Sequence, residues 1–399
     1  MTLTCVRKTL TTLTAVLVLT SPSLHANALF DKFIDPTDGQ FDTSGWLIDN
    51  KGFLPVPIII TEPAVGAGLG LAGIFFHESK QEAEKRKRAL EAGQSDADIP
   101  LIPPSVSVLF GAATENGTWL GGGAHLGVWK NDHVRYVGAL ARLSVNLTFY
   151  GISDNRVSES DGMDFNGDGW YMLQEVNFRI RDSNWFIGGR FEYSAIDISF
   201  DDGLDPPGVA DDNLDQTQTL GLGPILSYDS RDNTFSPNRG IYAGLEAMFH
   251  EANFIGDFSY QKYKAQGLFY WDIHPKVVLG WRLDGRFARG ETPFYALPFI
   301  DLRGIPAMRY QGDDVLVTEI DARWNFHNRW SLVGFTGVGK AEDAFSDLFG
   351  GDGDNDLQHT VGGGVRYLIA RRLGLQAGID VAKGPEDTVF YLTVGSAWR

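Results

Sequence analysis

Cysteine is almost absent from the sequence, with one residue, Cys5, among 399. A single cysteine excludes an intramolecular disulfide and a cysteine-based zinc site. Basic residues are also few, because 34 Lys and Arg stand against 51 Asp and Glu, giving a formal net charge of −17. Nucleic-acid phosphates bind basic surfaces, so this charge argues against a nucleic-acid partner.

Long hydrophobic runs are missing as well. The nearest candidate, residues 58–76, is broken by Thr61, Glu62 and Pro63. A membrane-spanning helix needs roughly 20 consecutive apolar residues. The sequence therefore predicts no transmembrane helix.

The N-terminal residues 1–28 have the features of a secretory signal peptide. A short basic region precedes an apolar stretch at 10–19, and an A-x-A cleavage motif follows at 26–28. We therefore predict an exported protein. Residues 29–52 are polar and without a clear period, and we predict that they form a short periplasmic N-terminal segment.

From about residue 104 onward, apolar and polar residues alternate repeatedly. Between 276 and 288, Val277 and Leu279 fall on one face, and Arg282 and Asp284 fall on the other. This period of two indicates strands with one apolar and one polar face. Similar runs occur at 262–271, 316–326 and 373–381.

Strands of this kind form either a soluble sandwich or a membrane barrel. The runs last roughly 11–15 residues, whereas globular strands average about 5–6 and a tilted strand crosses a bilayer in about 10. Short links alternate with long acidic ones at 150–168, 199–216 and 340–356, which is typical of outer-membrane barrels. We therefore predict that residues 53–399 form an all-β transmembrane antiparallel barrel in the bacterial outer membrane.

The number of strands follows from counting the runs, which gives fifteen between residues 66 and 398. Single-chain bacterial barrels have an even number. Residues 53–61 supply the natural sixteenth strand, although Pro55 and Pro57 confine it to an edge. We predict about 16 strands, with 14 as the alternative, and we place Phe390 and Trp398 on the apolar face of the last one.

Two segments carry a family resemblance. The first reads G-L-G-P-I-L-S-Y-D-S-R-D-N at 221–233, with P-N-R-G at 237–240, and the second reads L-R-G-I at 302–305. Together they resemble the bacterial surface-antigen barrel domain of the BamA/TamA superfamily, which includes two-partner-secretion transporters. The family usually carries POTRA domains before the barrel. Only about 25–40 residues precede the barrel here, so the chain is similar to the short members that lack them.

The resemblance implies a function in the insertion or translocation of proteins, or of lipids, at the outer membrane. It implies unfolded outer-membrane or secreted proteins as clients, outer-membrane lipid as the surroundings and a separate periplasmic docking partner. It also implies a weak seam between the first and last strands. The alternative is a passive or plugged pore, or a structural barrel without a client.

In the family, a long extracellular loop folds into the barrel lumen, where its arginine pairs with acidic residues. The resemblance assigns this lumenal loop motif to Leu302, Arg303, Gly304 and Ile305 and the lumenal acidic partners to Glu319 and Asp321. The family places a further aspartate on the following strand, where this sequence has Gly337.

The S-Y-D-S-R-D-N segment lies at a periplasmic turn in the family. Asp and Asn favour tight turns because they bond their own backbone. We interpret the segment as a structural turn motif, whose residues are Asp229, Arg231, Asp232 and Asn233.

One acidic segment matches the calcium-loop pattern D-x-[DN]-x-[DN]-G-x5-E. Its candidate calcium ligands are Asp164, Asn166, Asp168 and Glu175. No predicted helix flanks the segment, and an ordinary acidic surface turn is the alternative. We predict no other cofactor.

The common enzyme signatures are missing, namely G-x-S-x-G, H-E-x-x-H and the P-loop. A barrel lipase would need a serine and a histidine from different strands paired on its outer face. We predict that the protein is not an enzyme, with a phospholipase as a third hypothesis that fatty-acid release from vesicles would test.

Overall fold

Sixteen antiparallel strands, paired in chain order from β1 to β16, form a single sheet in the part of the chain that the structure describes. The structure is a computed structural model and describes residues 33–35, 37–44, 53–77, 88, 105–150, 162–200, 217–342 and 357–398. The strands are β1 (Phe53–Ile60), β2 (Gly68–His77), β3 (Ser105–Thr114), β4 (Trp119–Trp129), β5 (Val134–Phe149), β6 (Met163–Arg179), β7 (Trp185–Phe200), β8 (Thr217–Asp229), β9 (Gly240–His250), β10 (Tyr260–His274), β11 (Val277–Gly290), β12 (Asp314–Trp324), β13 (Trp330–Glu342), β14 (Gln358–Ala370), β15 (Leu375–Lys383) and β16 (Thr388–Val394).

The sheet curls into a nearly closed barrel, which confirms the predicted fold and the count of sixteen strands. A short helix, α1 (Ala252–Ile255), lies between β9 and β10. Among the described helices, none is long and apolar enough to cross a membrane. The predicted signal peptide, residues 1–28, lies outside the described residues.

The apolar faces of the strands point outward. On β12, Leu316 and Ile320 are exposed, whereas Val315, Val317 and Glu319, which point to the other face, are buried. This is the reverse of a water-soluble sheet, and it suits a barrel whose outer face contacts lipid and whose inner face holds polar groups.

The two ends of the barrel differ. Most connections at the turn end are short, such as 130–133, 180–184 and 371–374, with 78–104 as a long exception, and the loop end carries long ones such as 291–313. The first residue of β6 is Met163, so the predicted loop 150–168 is wrong at its C-terminal end. Residues 163–168 extend the sheet because each has a partner on β5.

The C-terminus also departs from its prediction. The last strand ends at Val394, and Trp398 is 4% exposed, packed with Leu268 and Tyr270 of the inner wall. Trp398 is therefore not on the apolar outer face with Phe390, because Gly395, at φ 81°, turns the chain out of the strand.

Candidate functional site

The connection between β11 and β12, residues 291–313, folds into the barrel and supplies an apolar core there. Ile300, Leu302 and Ile305 pack with Val315 and Val317 of β12. A second cluster joins the same loop to the opposite wall of the barrel. Its buried members are Phe149, Phe165, Ile198, Phe294 and Met308.

Arg303 stands among carboxylates at the centre of this loop. Its Nε donates to Glu319 Oε1 at 2.8 Å, its Nη1 to Asp380 Oδ2 at 2.9 Å and its Nη2 to Asp321 Oδ2 at 3.3 Å. The guanidinium also lies 3.4 Å from the ring centroid of Phe335. The structure thus brings Arg303 together with both predicted acidic partners, in a charge-assisted geometry that holds a guanidinium rigidly.

Asp380, which the sequence analysis did not single out, supplies the third carboxylate. It lies on β15, is fully buried and also binds Arg366 through two hydrogen bonds of 2.6 and 2.7 Å. Its only sequence signal is a polar residue on the inward face of an alternating strand.

The glycine at 337 makes room for the loop. A Cβ built there would lie 2.7 Å from Leu302 Cδ2 and 3.2 Å from the backbone oxygen of Thr318. An aspartate at this position would displace Leu302. Position 337 therefore carries no carboxylate, and the third carboxylate that contacts Arg303 comes from Asp380 on β15.

The inward-folded C-terminus reaches the same site. Trp398 donates from its indole nitrogen to Glu319 Oε2 at 2.8 Å, in a buried hydrogen bond. Glu319, which is 1% exposed, therefore accepts from the loop on one oxygen and from the C-terminus on the other.

The seam lies between β1 and β16, which no ladder joins among the described residues. Every residue of β1 is paired with β2. A proline inside a ladder turns its nitrogen, which has no hydrogen, away from the paired neighbour. Pro55 and Pro57 therefore leave the β16-facing edge of β1 without a donor at either position.

At the loop end, residues 291–313 contact both sides of the seam. The backbone nitrogen of Ala307 donates to Glu62 Oε1, beyond β1, at 3.0 Å. On the other side, Arg309 Nε donates to Glu386 at 2.6 Å, and the Gly304 nitrogen donates to the Tyr391 hydroxyl at 2.9 Å. The loop therefore connects the edges of β1 and β16, which are not joined by a backbone ladder among the described residues.

At the turn end, the segment preceding β1 makes a second connection, which we call the N-terminal clamp (residues 35 and 37–42 with Arg329 and Arg371). Arg329 is almost fully buried. Its three closest carboxylate contacts, of 2.6 to 2.7 Å, are with Asp35, Asp38 and Asp42.

The ionisation of the clamp follows from these contacts. Burial alone would raise the pKa of Asp35. Hydrogen bonds from the Thr37 backbone and from Arg371 outweigh it and lower that pKa to about 2. Asp35 is therefore ionised at neutral pH. The clamp holds the segment preceding β1 against the β12–β13 turn, which carries Arg329, and the β14–β15 turn, which carries Arg371.

The predicted turn motif begins where β8 ends. Asp229 is buried and accepts from Arg231 Nε at 2.9 Å and from Arg135 Nη1 at 2.7 Å. Asp232 accepts from the backbone nitrogen of Asn238 at 3.0 Å, which shapes the turn in the way expected of an aspartate.

Asn233 connects this turn to a second turn at the same end of the barrel. Its side-chain oxygen accepts from the backbone of Phe235, and its amide donates to the carbonyl of Leu373, 140 residues away, at 2.9 Å. A Cβ on Gly374 would lie 2.7 Å from the same amide. The turn after β8 therefore rests against the turn after β14 and spans the turn end.

The candidate calcium ligands do not meet at one place. Asp164, Asn166 and Asp168 alternate along β6 on the face opposite buried Phe165, whereas Glu175 lies on the inner face and binds Arg190. Asp168 and Glu175 are seven positions apart along the strand, a distance of about 23 Å. Among the described residues, no group of three or more His, Cys, Asp or Glu side chains is placed to hold a metal ion.

The outer wall beside the seam is concave. A largely apolar groove of about 970 Å³ runs from β1 over the faces of β13 to β16. It includes Ile59 on β1 and Leu392 on β16, so it continues across the seam.

Comparison with known proteins gives the same architecture. Residues 129–301 match the family model of the Omp85 superfamily domain. The structure resembles that of BamA from Haemophilus ducreyi lacking POTRA domains 1-3, with a TM-score of 0.52 and 10% identity over 92% of this chain and 81% of that one. No curated protein sequence matches the chain.

Two further solved structures are similar. CdiB from Escherichia coli has a TM-score of 0.55 at 10% identity, and CdiB from Acinetobacter baumannii has 0.53 at 8%. Each covers 86% of this chain. The chain spans 62% and 59% of those two proteins, less than two thirds of either. At these identities the likeness shows the fold.

Proposed function

We propose that the protein assists the insertion or translocation of client proteins at the bacterial outer membrane, because residues 129–301 match the Omp85 superfamily domain and the chain folds as a sixteen-stranded barrel. The observation that carries this proposal is the seam, where β1 and β16 adjoin without a ladder among the described residues. An unpaired edge is a template on which an incoming strand can pair.

Opening the seam costs little backbone hydrogen bonding. Each ladder hydrogen bond contributes about 1 kcal/mol net, and every other neighbouring pair of strands has a ladder, such as the eight residue pairs between β1 and β2. At the seam, the loop and the N-terminal clamp provide the polar connections instead. Their release would free both edges while the remaining fifteen pairings stay intact.

The groove of about 970 Å³ beside the seam provides an apolar surface against which an incoming client strand can pack. Its wall is continuous with the lipid-facing surface, so a strand paired with β1 would leave the barrel sideways. The lumen itself is occupied by residues 291–313, which pack on both walls. This filling favours lateral release over a wide passive pore.

The clients of this insertion or translocation are unfolded outer-membrane or secreted proteins. A separate periplasmic protein delivers them. Arg303 acts as a brace in this scheme, since it ties the loop to β12 and β15.

The test is a client-insertion assay in liposomes. A small urea-unfolded barrel protein is added to empty vesicles, to vesicles with the wild type and to vesicles with Arg303→Ala. We expect the wild type to accelerate client folding and the variant to lose part of that acceleration. No acceleration, with heat-modifiability showing the protein to be folded and with robust single-channel conductance, would contradict the proposal and favour the passive pore.

A cross-link isolates the role of the seam. In a Cys5→Ser background, a panel of cysteine pairs joins β1 to β16, and Leu226→Cys with Leu245→Cys joins β8 to β9, where those residues are already partners. We expect oxidation of a seam pair to stop client folding and reduction to restore it, while the control pair has no effect. Equal activity of both oxidised proteins would overturn the seam mechanism.

A further inference from the structure

Three polar side chains meet on the outer face of the barrel near its turn end, on β2, β3 and β4. His77 ends β2, Ser107 lies on β3 and His125 lies on β4. The Ser107 Oγ is 2.8 Å from His77 Nε2 and 2.8 Å from His125 Nδ1. The two histidine ring centroids are 5.8 Å apart, with the hydroxyl between them.

The surrounding aromatic residues indicate the depth at which His77, Ser107 and His125 lie in the membrane. The His125 ring is stacked 6.1 Å from Trp129, which is stacked 5.5 Å from Tyr136, and all three lie near the turn end. Aromatic residues of membrane barrels form girdles where lipid headgroups meet acyl chains. The ester linkages of a glycerophospholipid lie at that same level.

We propose that Ser107, His77 and His125 form an ester-hydrolysing site that acts on glycerophospholipids of the adjoining leaflet. A serine within hydrogen-bond reach of a histidine base is the pairing that activates a serine nucleophile. Here the second histidine, His125, bonds the serine itself and fixes its hydroxyl. The proposal goes beyond the client function and departs from the sequence-based prediction that the protein is not an enzyme. It supplies the outer-face Ser–His pair that a barrel lipase requires.

The chemistry balances with water as the co-substrate. Ser107 donates its proton to His77 Nε2 as Oγ attacks the ester carbonyl carbon. The bond from that carbon to the glycerol oxygen breaks, and His77 protonates the departing alcohol. Water, deprotonated by His77, then attacks the acyl-serine, which releases the fatty acid and returns the proton to Ser107. His125 Nδ1–H donates to Oγ of the resting serine and orients it.

A neighbouring serine provides the matched control. Ser105 lies two residues away on the same strand, but its hydroxyl accepts from the Val128 backbone nitrogen at 2.9 Å and donates to the Val128 carbonyl at 3.3 Å. It is buried and bonded to backbone, without a histidine in the hydrogen bonds described. Ser105 is also the register partner of His77 across β2 and β3, so Ser105→Ala removes a hydroxyl beside the site without removing a described hydrogen bond to either histidine.

The test uses the full chain in vesicles of phosphatidylethanolamine and phosphatidylglycerol. We expect the wild type and Ser105→Ala to release free fatty acid, and Ser107→Ala and His77→Asn to release roughly 100-fold less. A fluorophosphonate probe should label Ser107 in the wild type and in Ser105→Ala. Heat-modifiability on gels shows that each variant is folded. Absence of release from folded wild type, or equal release from Ser107→Ala, would overturn the proposal, and lipid binding without release would count against it too.

Discussion

Trp398 and Glu319 form a buried hydrogen bond that joins the end of the chain to the inner wall of the barrel, with Nε1 and Oε2 2.8 Å apart. The other oxygen of Glu319 accepts from Arg303, at 2.8 Å from Nε. One carboxylate therefore connects the lumenal loop, β12 and the segment that follows β16. A movement of the last strand at the seam would change the partners of the loop arginine.

Trp398→Phe keeps the ring and removes the indole N–H. We expect the variant to lose about 1–3 kcal/mol of stability, because a buried carboxylate oxygen loses its donor. The temperature at which the barrel band disappears on heat-modifiability gels measures this loss. Trp324→Phe is the control because Trp324 is half exposed on the outer face, and an equal drop in both variants would contradict the role of the hydrogen bond.

Arg303→Ala removes the centre of the carboxylate cluster. Breaking a buried ion pair by deleting one partner costs about 3–5 kcal/mol, because the other charges stay buried without compensation. We expect a lower unfolding temperature and faster cleavage of residues 291–313 by added protease. Arg289→Ala should change little, since the Arg289–Asp314 pair is about half exposed and such pairs contribute about 0–1 kcal/mol.

Two glycines on β13 offer a matched pair of substitutions. A Cβ at Gly337 would lie 2.7 Å from Leu302 Cδ2, whereas a Cβ at Gly334 would have nothing within 4 Å. We expect Gly337→Ala to be destabilising by about 1–3 kcal/mol and to expose the loop, and Gly334→Ala to be neutral. Thermal unfolding and protease cleavage of the loop measure both, and identical behaviour would contradict the close packing of Leu302.

The N-terminal clamp should open in acid. The pKa of Asp35 is about 2 in the folded protein and near 3.8 without its partners. A lowered pKa stabilises the folded form above the unfolded value, and this stabilisation is lost as the pH falls from about 4 to about 2. A fluorophore on residue 37 should report release of the segment in that range. In Arg329→Gln the segment should be released already at pH 7, and a pH-independent signal in the wild type would refute the clamp.

Much of the fold follows from the sequence alone. Strand β11 was predicted at 276–288 and runs Val277–Gly290, since alternation there is strict and both faces are unambiguous. Pro55 and Pro57 indicated an edge strand because proline leaves gaps in a ladder. Arg303 with Glu319 and Asp321 came from the family resemblance, and the structure brings these three side chains together.

The remaining parts of the site depend on contacts between distant residues. Asp380 gives only the weak signal of a polar residue in an alternating strand, and Ser107 gives none. Their partners lie on other strands, and neither segment specifies the register between strands. The acidic residues of β6 matched a calcium pattern, but their backbone pairs with β5, and pairing takes precedence over loop formation. Trp398 continued the apolar alternation of β16, yet the turn at Gly395 sends it inward.

The N-terminal clamp also bears on the order in which the barrel is assembled. Asp35 and Asp42 emerge first from the ribosome, yet their partner Arg329 follows 294 and 287 residues later. Contacts of such long sequence separation form late, because most of the chain must already be in place. The segment preceding β1 therefore has no binding site until β12 and β13, which flank Arg329, have formed. A clamp segment bound to Arg329 would therefore indicate a completely folded barrel, and an unbound segment would indicate a barrel that is still assembling.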